Sequence, residues 1–567
     1  MALLLVAPTL EAGWVADDYI QLLSQRQHPG VAGIAHRPLD LFRFAQGSAS
    51  AARALMEQGV FPWWADPLVR LSFLRPLASL THALDARLWP GSSVAMHAHS
   101  LLWYLGLVLG AGYAYRRFSS SAMTATLALA LFAVDDAHAP VVGWIANRNA
   151  LVALAIMLPA LLLHDHWRRE GNRSAALAAH ACFALGLSGG EAGTTLVPYF
   201  CAYALCLEQG KALERLRSLL GYGALLVAWR VVYNHLGYGV SGSGLYVDPA
   251  SAPLSFVWLA PSRLLALLQG LFGAPWSDFW ELYPLASPLL QPAVSALGLL
   301  LLSGLFLLAW PVLRTRRAAR FWLCGCVGGI LPACASFPHD RLLLGASIGG
   351  AAFLAEVVDH TVSSPRRWRR VGAGGVLALH LLCAPALCLL RASTVGKLDD
   401  LLREQQATLP GTAAVRGQTV VLINPPLDPL AAYLSPYREL HGIPRPAALY
   451  WLATGVSDLQ LTTLDSHTLS VRPRGGYLGS STQRMLRDPW KNSRYDPVRL
   501  RQATFEVTEL TNDGRPAEVH VRFERRVGDP ELRFFRWQGH GYTEMELPAV
   551  GQSVLVPAVD CWAALRG

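Results

Sequence analysis

The sequence predicts a polytopic α-helical membrane protein of about ten or eleven transmembrane helices, followed by a soluble, mainly β domain. Three observations carry that reading. Hydrophobic residues make up 53% of the 567 positions and charged residues only 15%, against ~25% charged in soluble domains, and mean hydropathy is +0.31. The apolar residues gather in runs that approach the ~20 residues a span requires. After residue 395 those runs stop, and short β-prone segments alternate with turns. An ordinary cytosolic enzyme, a disordered chain and a secreted disulfide scaffold are thereby excluded.

Runs fit for spanning lie at about 97–115, 121–134, 143–163, 174–190, 194–207, 217–236, 290–313, 321–337, 341–359 and 371–391. Basic clusters mark every second loop: Arg116-Arg117, Arg168-Arg169 with Arg173, Lys211 with Arg215 and Arg217, Arg314 to Arg320, and Arg366 to Arg370. The positive-inside rule puts these five loops in the cytoplasm and the alternate loops, with the tail, on the other side. If the apolar stretch 253–276 also crossed, the arginines at 314–320 would lie outside. An interfacial helix with both ends on the outer side is therefore expected at about 253–276. The domains so read are 1–395, with an outer loop 12–96, and 396–567.

MALLLVAPTL at the start is about half a span with no basic residue before it, so it does not read as a signal peptide. An outer loop after it requires one crossing. Either a short helix supplies it or the chain starts further upstream, and truncation is the favoured expectation.

The net charge of +9 does not indicate a nucleic-acid partner. Residues 397–567 hold 20 basic and 19 acidic side chains, and residues 1–396 hold 28 and 20, so the excess belongs to the hydrophobic part and its cytoplasmic loops. Eight of the nine cysteines sit in apolar runs and read as small buried hydrophobes, Cys561 stands alone in the tail, and no CxxC spacing suggests zinc.

Acidic groups are costly near membrane helices, so their placement is informative. The outward loops carry Asp17-Asp18, Asp135-Asp136 with His138, Glu191, and His339-Asp340-Arg341. Adjacent carboxylates such as Asp17-Asp18 suit a general base or a divalent cation, or are two solvated charges at a helix terminus. Asp135-Asp136-Ala137-His138 has similar chemistry. Arg148, in Trp144-Ile145-Ala146-Asn147-Arg148, opens a helix where a guanidinium fits a phosphate; the alternative is an interface anchor. Glu191 stands in Ser188-Gly189-Gly190-Glu191-Ala192-Gly193, whose glycines allow close approach of a ligand or mark a tight hairpin. Arg341 repeats the position of Arg148.

In order along the chain, Phe73-Leu74-Arg75-Pro76-Leu77 with Leu84-Asp85, Met96-His97, WIANRNALVALA at 144–155, LSGGEAGTTLVP at 187–198 and DRLLLGASIG at 340–349 resemble multi-spanning glycosyltransferases of the GT-C fold. The nearest are the transmembrane TPR-containing O-mannosyltransferase-like proteins and their bacterial relatives. The resemblance covers about residues 14–360. It implies a GT-C-like fold and transfer of a sugar from a polyprenyl-phosphate donor to a glycan, lipid or protein acceptor at the outer face of a bilayer. An acidic residue of the first outer loop, Asp17 or Asp18, would be catalytic. Asp135-Asp136, with His138 and Glu191, would form the second acidic motif, and Arg75, Arg148 and Arg341 would hold the donor phosphate. A divalent cation (Mg or Mn), if used, would fall to Asp17, Asp18 and Asp135. The chain departs from the family pattern in having Ser-Gly-Gly-Glu for Ser-Lys-Glu and no TPR array. The arginine-for-lysine bias points to a bacterial inner membrane with a periplasmic tail. The rival readings are a non-catalytic envelope-assembly protein and, less favoured, a transporter, which calls for ionisable groups at mid-membrane and repeated halves.

Overall fold

The computed structural model describes all residues except 27–29, 274–275, 492–493, 561–562 and 565–567, so Cys561 lies outside the described residues. The chain divides into two compact units, one of residues 1–14, 73–238 and 248–396, the other of 15–72, 239–247 and 397–567.

The first unit is a polytopic helical bundle. The expected apolar runs form the helices Ser93–Phe118, Ala122–Ala133, Arg148–Glu170, Arg173–Gly189, Val197–Ala202, Leu220–His235, Leu290–Thr315, Arg317–Ala333 and Leu344–Val362, with the last run split into Arg367–Leu377 and Ala384–Thr394. Among the described residues, five helices are long and apolar enough to cross a membrane, or six if Ala122–Ala133 and Asp136–Val142, bent by 47°, act as one span. One other run is interrupted by a π-helical turn at Tyr203–Leu207, whereas the π-helical turn Ala378–Cys383 lies inside Arg367–Ala407, one of the five. The stretch 253–276 gives one helix, Pro253–Phe272, of 20 residues. It too is long and apolar enough to cross, so length does not separate a crossing from the interfacial lie that the arginine count favours. MALLLVAPTL becomes a short helix continued by a 3-10 turn, Ala2–Val6 and Ala7–Glu11.

Small residues set the packing around Leu344–Val362, which is buried except for Asp359, His360 and Val362. A Cβ at Gly349 would meet the Trp322 carbonyl at 2.7 Å, and one at Gly329 the Thr195 carbonyl at 2.5 Å. Close backbone approach of this kind is how membrane helices gain contact without a hydrophobic driving force. The basic loops expected in the cytoplasm find counter-ions: the buried Asp165 accepts from Arg117 (2.5 Å) and Arg169 (2.6 Å), and Arg316 bridges the buried Glu356 (2.9 Å) and the partly exposed Asp359 (2.7 Å).

The second unit holds the sheets. The β-prone runs emerge as Thr419–Leu422, Ala503–Leu510, Pro516–Phe523 and Leu532–Gln538, and the expected helical lead-in as Lys397–Ala407. Six strands form an antiparallel sheet in the order Ser553–Val556, Leu459–Thr463, Thr468–Pro473, Pro516–Phe523, Ala503–Leu510, Val498–Arg499. A second sheet is mixed: Thr419–Leu422 runs parallel to both Ala448–Trp451 and Leu532–Gln538, and Gly541–Glu544 closes the edge antiparallel. The parallel pairing needs a crossover, and the helices Asp428–Ala432 and Leu434–Leu440 supply it.

Part of the first outer loop belongs to this second unit. Arg43–Gln46 pairs with Arg70–Ser72, which pairs in turn with Gly239–Ser241, in a three-stranded sheet. Trp63 stacks on Phe505 with ring centroids 5.5 Å apart, and Trp64 meets Trp451 edge-on at 5.1 Å. The two tryptophans are 4% and 1% exposed, so 15–72 contributes core to the sheet unit, and a cut at residue 395 does not capture that.

Candidate functional site

Asp17 and Asp18 open the helix Asp17–Gln25, whose first-turn N–H groups favour carboxylates. The residue before them, Ala16, has φ +48° and ψ −113°, a conformation that L-residues adopt only under constraint and that tends to mark functional turns. The aspartates then diverge. Asp18 is 2% exposed, and its Oδ2 accepts the Val15 N–H at 2.9 Å, tying the strained turn. Asp17 is only partly buried, and its Oδ1 accepts the Tyr433 hydroxyl at 2.7 Å. Burial, then the neighbouring Asp17 charge, hold the Tyr433 phenol well above its ordinary range, so it stays a donor. Tyr19 next door donates to Asp399.

In the helical unit Asp135, Asp136 and His138 differ in their partners, although His138 Nε2 lies 3.8 Å from Asp135 Oδ2. Asp135 lies just past the helix Ala122–Ala133 and caps the Ala137 N–H at 3.0 Å. Burial, then the Asp136 charge, push its carboxyl up to about 8. Asp136 accepts the Trp276 indole N–H at 2.7 Å and Arg391 at 3.0 Å. Arg391 also bonds Asp340 at 2.7 Å, and Asp278, so one guanidinium gathers three carboxylates. His138 is sealed, between the Tyr104 hydroxyl and Ser347 Oγ, each at 3.0 Å.

The arginines also separate. Arg75 pairs with Glu191 at 2.7 Å and lies 4.6 Å over the Phe73 ring. Gly190 permits this: at φ +148°, an added Cβ would stand 3.2 Å from Arg75 Cγ. Arg148 is fully buried. Its Nε donates to Ser100 at 2.9 Å, its Nη2 to the Met96 carbonyl at 2.6 Å, and its Nη1 to Asp85. A guanidinium so enclosed anchors helices, which corrects the expectation of a phosphate ligand at that position; a helix start alone does not reveal how many internal acceptors await the side chain. Arg341 is the contrasting case. Its guanidinium lies 4.9 Å over the Trp144 ring and 5.6 Å from Phe337, its Nε is buried with no hydrogen-bond partner, and among the described residues no carboxylate pairs with it. Arg148 and Arg341 thus look alike in sequence and differ in use.

The two units divide the predicted residues: Asp17 and Asp18 in one; Asp135, Asp136, His138, Glu191, Arg75, Arg148 and Arg341 in the other. Among the described residues no group of three or more His, Cys, Asp or Glu side chains is arranged to hold a metal ion. Sequence reasoning missed Tyr433, Asp278 and Arg391. Arg391 carried a usable signal, a charge closing an apolar run; Tyr433 carried none.

No family model matches the chain, and no curated protein matches it. Solved structures are similar to it, among them two of one protein. ArnT from Cupriavidus metallidurans bound to undecaprenyl phosphate aligns at TM-score 0.35 and 12% identity over 76% of this chain and 83% of that one. The same protein in its apo state aligns at 0.32 and 13% over 70% and 81%.

Proposed function

We propose that the protein is a membrane glycosyltransferase that moves a sugar from a polyprenyl-phosphate carrier to a hydroxyl of an envelope glycan, lipid or protein. The observation that carries this is the unequal pair at the strained turn: Asp18 is committed to the backbone, while Asp17 is oriented by a neutral phenol donor, the arrangement a general base requires. The sequence motifs resembling GT-C enzymes support it.

In this reading Asp17 takes the proton of the acceptor hydroxyl. The acceptor oxygen forms a bond to sugar C1 as the bond from C1 to the carrier phosphate oxygen breaks. The electron pair leaves with the lipid phosphate, and direct displacement inverts C1. Arg341, in the helical unit, is assigned to binding the phosphate of the lipid carrier. Its place over Trp144 suits it, since its buried Nε has no hydrogen-bond partner and an anion would supply one. Asp136, Asp340 and Arg391 hold the surrounding loops. We place the protein in a bacterial inner membrane, with the tail periplasmic.

The test is complementation. Deleting the gene in its native host should remove one sugar from the envelope, read by mass spectrometry of glycans, lipids and proteins. Wild type should restore it and Asp17→Asn should not. Restoration by Asp17→Asn at the same protein level would sink the assignment.

A further inference from the structure

A cleft in the second unit shares no residue with the setting of Asp17. It has a volume of about 390 Å³, within the roughly 300–1,000 Å³ of small-ligand sites. Its floor is a row of side chains across three neighbouring strands of the six-stranded sheet. Leu555 stands opposite Gln460, and Gln460 opposite Arg472, so strand alternation puts all three on one face. Pro473 and Ala517 continue the lining. Leu555 is 64% exposed, an apolar surface left open between polar groups.

A turn forms the wall. The Gly476 N–H donates to the Pro473 carbonyl at 2.9 Å, with Gly475 at φ +83°, a conformation that costs any residue with a Cβ. A Cβ at Gly476 would meet the Pro516 carbonyl at 2.6 Å. The Arg474 N–H donates to the Asp458 carbonyl at 2.8 Å, and Asp458 Oδ1 accepts the Ala558 N–H at 3.0 Å. Backbone bonds therefore fix the wall, while the Arg474 side chain is 83% exposed.

The polar groups here have bonding capacity to spare. Arg474 Nη1 lies 3.7 Å from Asp458 Oδ2, too far for a direct hydrogen bond. One hydroxyl about 2.8 Å from each would donate to the carboxylate and accept from the guanidinium. Both ion pairs of Arg472, to Glu509 and Glu518, run through Nη2, which leaves Nε and Nη1 to serve a ligand. The exposed Gln460 amide offers donors and an acceptor. Charge does not favour an anion, because the two guanidiniums stand against three carboxylates, those of Asp458, Glu509 and Glu518. What is concentrated is hydrogen-bonding capacity over an apolar floor. That matches a ring with hydroxyls on its rim and C–H groups on its faces.

We propose that this cleft is a saccharide-binding site for a neutral hexose unit, with Arg474, Asp458 and Gln460 bonding its hydroxyls and Leu555 beneath its ring. Binding here is separate from the reacting groups. That the bound saccharide is the acceptor glycan rests on the transferase reading and narrows its acceptor to a carbohydrate.

The experiment is saturation-transfer difference NMR on the full chain, in a detergent without a sugar headgroup. The probes are the methyl glycosides of glucose, galactose and mannose and of the three matching uronic acids. Wild type and Asp17→Asn should both give signals with at least one neutral glycoside, and no uronide should exceed them. Arg474→Ala and Gln460→Ala should each reduce the signals at least threefold and melt with wild type, since both side chains are exposed. Arg494→Ala, an equally exposed arginine outside the cleft, should leave them unchanged. Silence of every neutral glycoside, undiminished signals in both cleft variants, an equal loss in Arg494→Ala, or a uronide that outbinds the neutral probes overturns the site. If the glycosides are silent while Asp17→Asn still loses transfer, the site falls alone. If they bind through Arg474 while Asp17→Asn restores the envelope sugar, the transferase reading falls and a carbohydrate-binding domain is left.

Discussion

The Tyr433 hydroxyl donates to Asp17 Oδ1 at 2.7 Å, across 416 residues of sequence. That bond makes the C-terminal segment part of the setting of the first acidic motif and separates two aspartates that the sequence alone treats as equals. Asp18, 2% exposed and bonded to the Val15 N–H, should be structural. Asp18→Ala is expected to cost about 1–3 kcal/mol and to lower the melting temperature. Asp17→Asn should leave the melting temperature unchanged and abolish transfer. Thermal unfolding of both variants beside the envelope assay checks the split; equal loss of stability in both would remove it.

Tyr433→Phe takes away only the donor. Hydrogen bonds to charged groups are worth about 1.5–3 kcal/mol, so transfer should fall roughly 10- to 100-fold while the fold persists through the ring contacts with Tyr19 at 6.3 Å. The rate of sugar incorporation in membranes from the complemented strain measures it. A rate within twofold of wild type would show that Tyr433 only packs.

The fold was legible where periodicity and composition decide it. Each of the ten apolar runs became helical, and the four β-prone tail runs became strands. What escaped was long-range partnering. Nothing local in Trp63-Trp64 announces that they join a core with Trp451 and Phe505, and the parallel pairing of Thr419–Leu422 depends on a strand more than a hundred residues away. The candidate site followed the same rule. Residue types and loop positions were readable, and partners were not, so Arg148 and Arg341 were indistinguishable until Asp85 closed on one and Trp144 lay under the other.

Those two arginines predict opposite phenotypes. Arg148→Ala takes its guanidinium partner from the fully buried Asp85 and leaves it paired with His99 at 2.5 Å, and breaking a buried pair costs about 3–5 kcal/mol; the variant should be poorly expressed, with Asp85→Asn added in cis restoring part of the yield. Arg341→Ala should fold as wild type and bind undecaprenyl phosphate in nanodiscs at least tenfold more weakly, with Arg341→Lys between. Native mass spectrometry of the lipid-bound fraction reads both. Unchanged lipid binding in Arg341→Ala would remove it from the donor site.

Arg391 holds Asp136, Asp278 and Asp340 together, and the cluster is more anionic than one guanidinium can balance. Arg391→Leu should therefore destabilise the helical unit by about 3–5 kcal/mol. Adding Asp340→Asn, which removes the carboxylate that is 1% exposed, should recover part of that loss, and non-additive melting temperatures in the double-variant cycle are the check. Full additivity would mean that the two side chains act independently.

The pH dependence of stability carries a sign set by Asp428. Burial pushes its carboxyl up to about 7, against an ordinary value near ~3.9. Between those two values the folded chain keeps a proton that the unfolded chain has released. Stability must then fall as pH rises from about 4 to about 7 and level off above, because the native state binds the extra proton. Asp428→Leu removes the titrating group. The difference in melting temperature between variant and wild type should therefore be smallest near pH 4 and grow in the variant's favour up to pH 7. Taking the difference cancels every carboxylate common to both chains. A difference that is flat across this range would mean that Asp428 is ionised in the folded chain already at low pH, with the Thr482 hydrogen bond outweighing its burial.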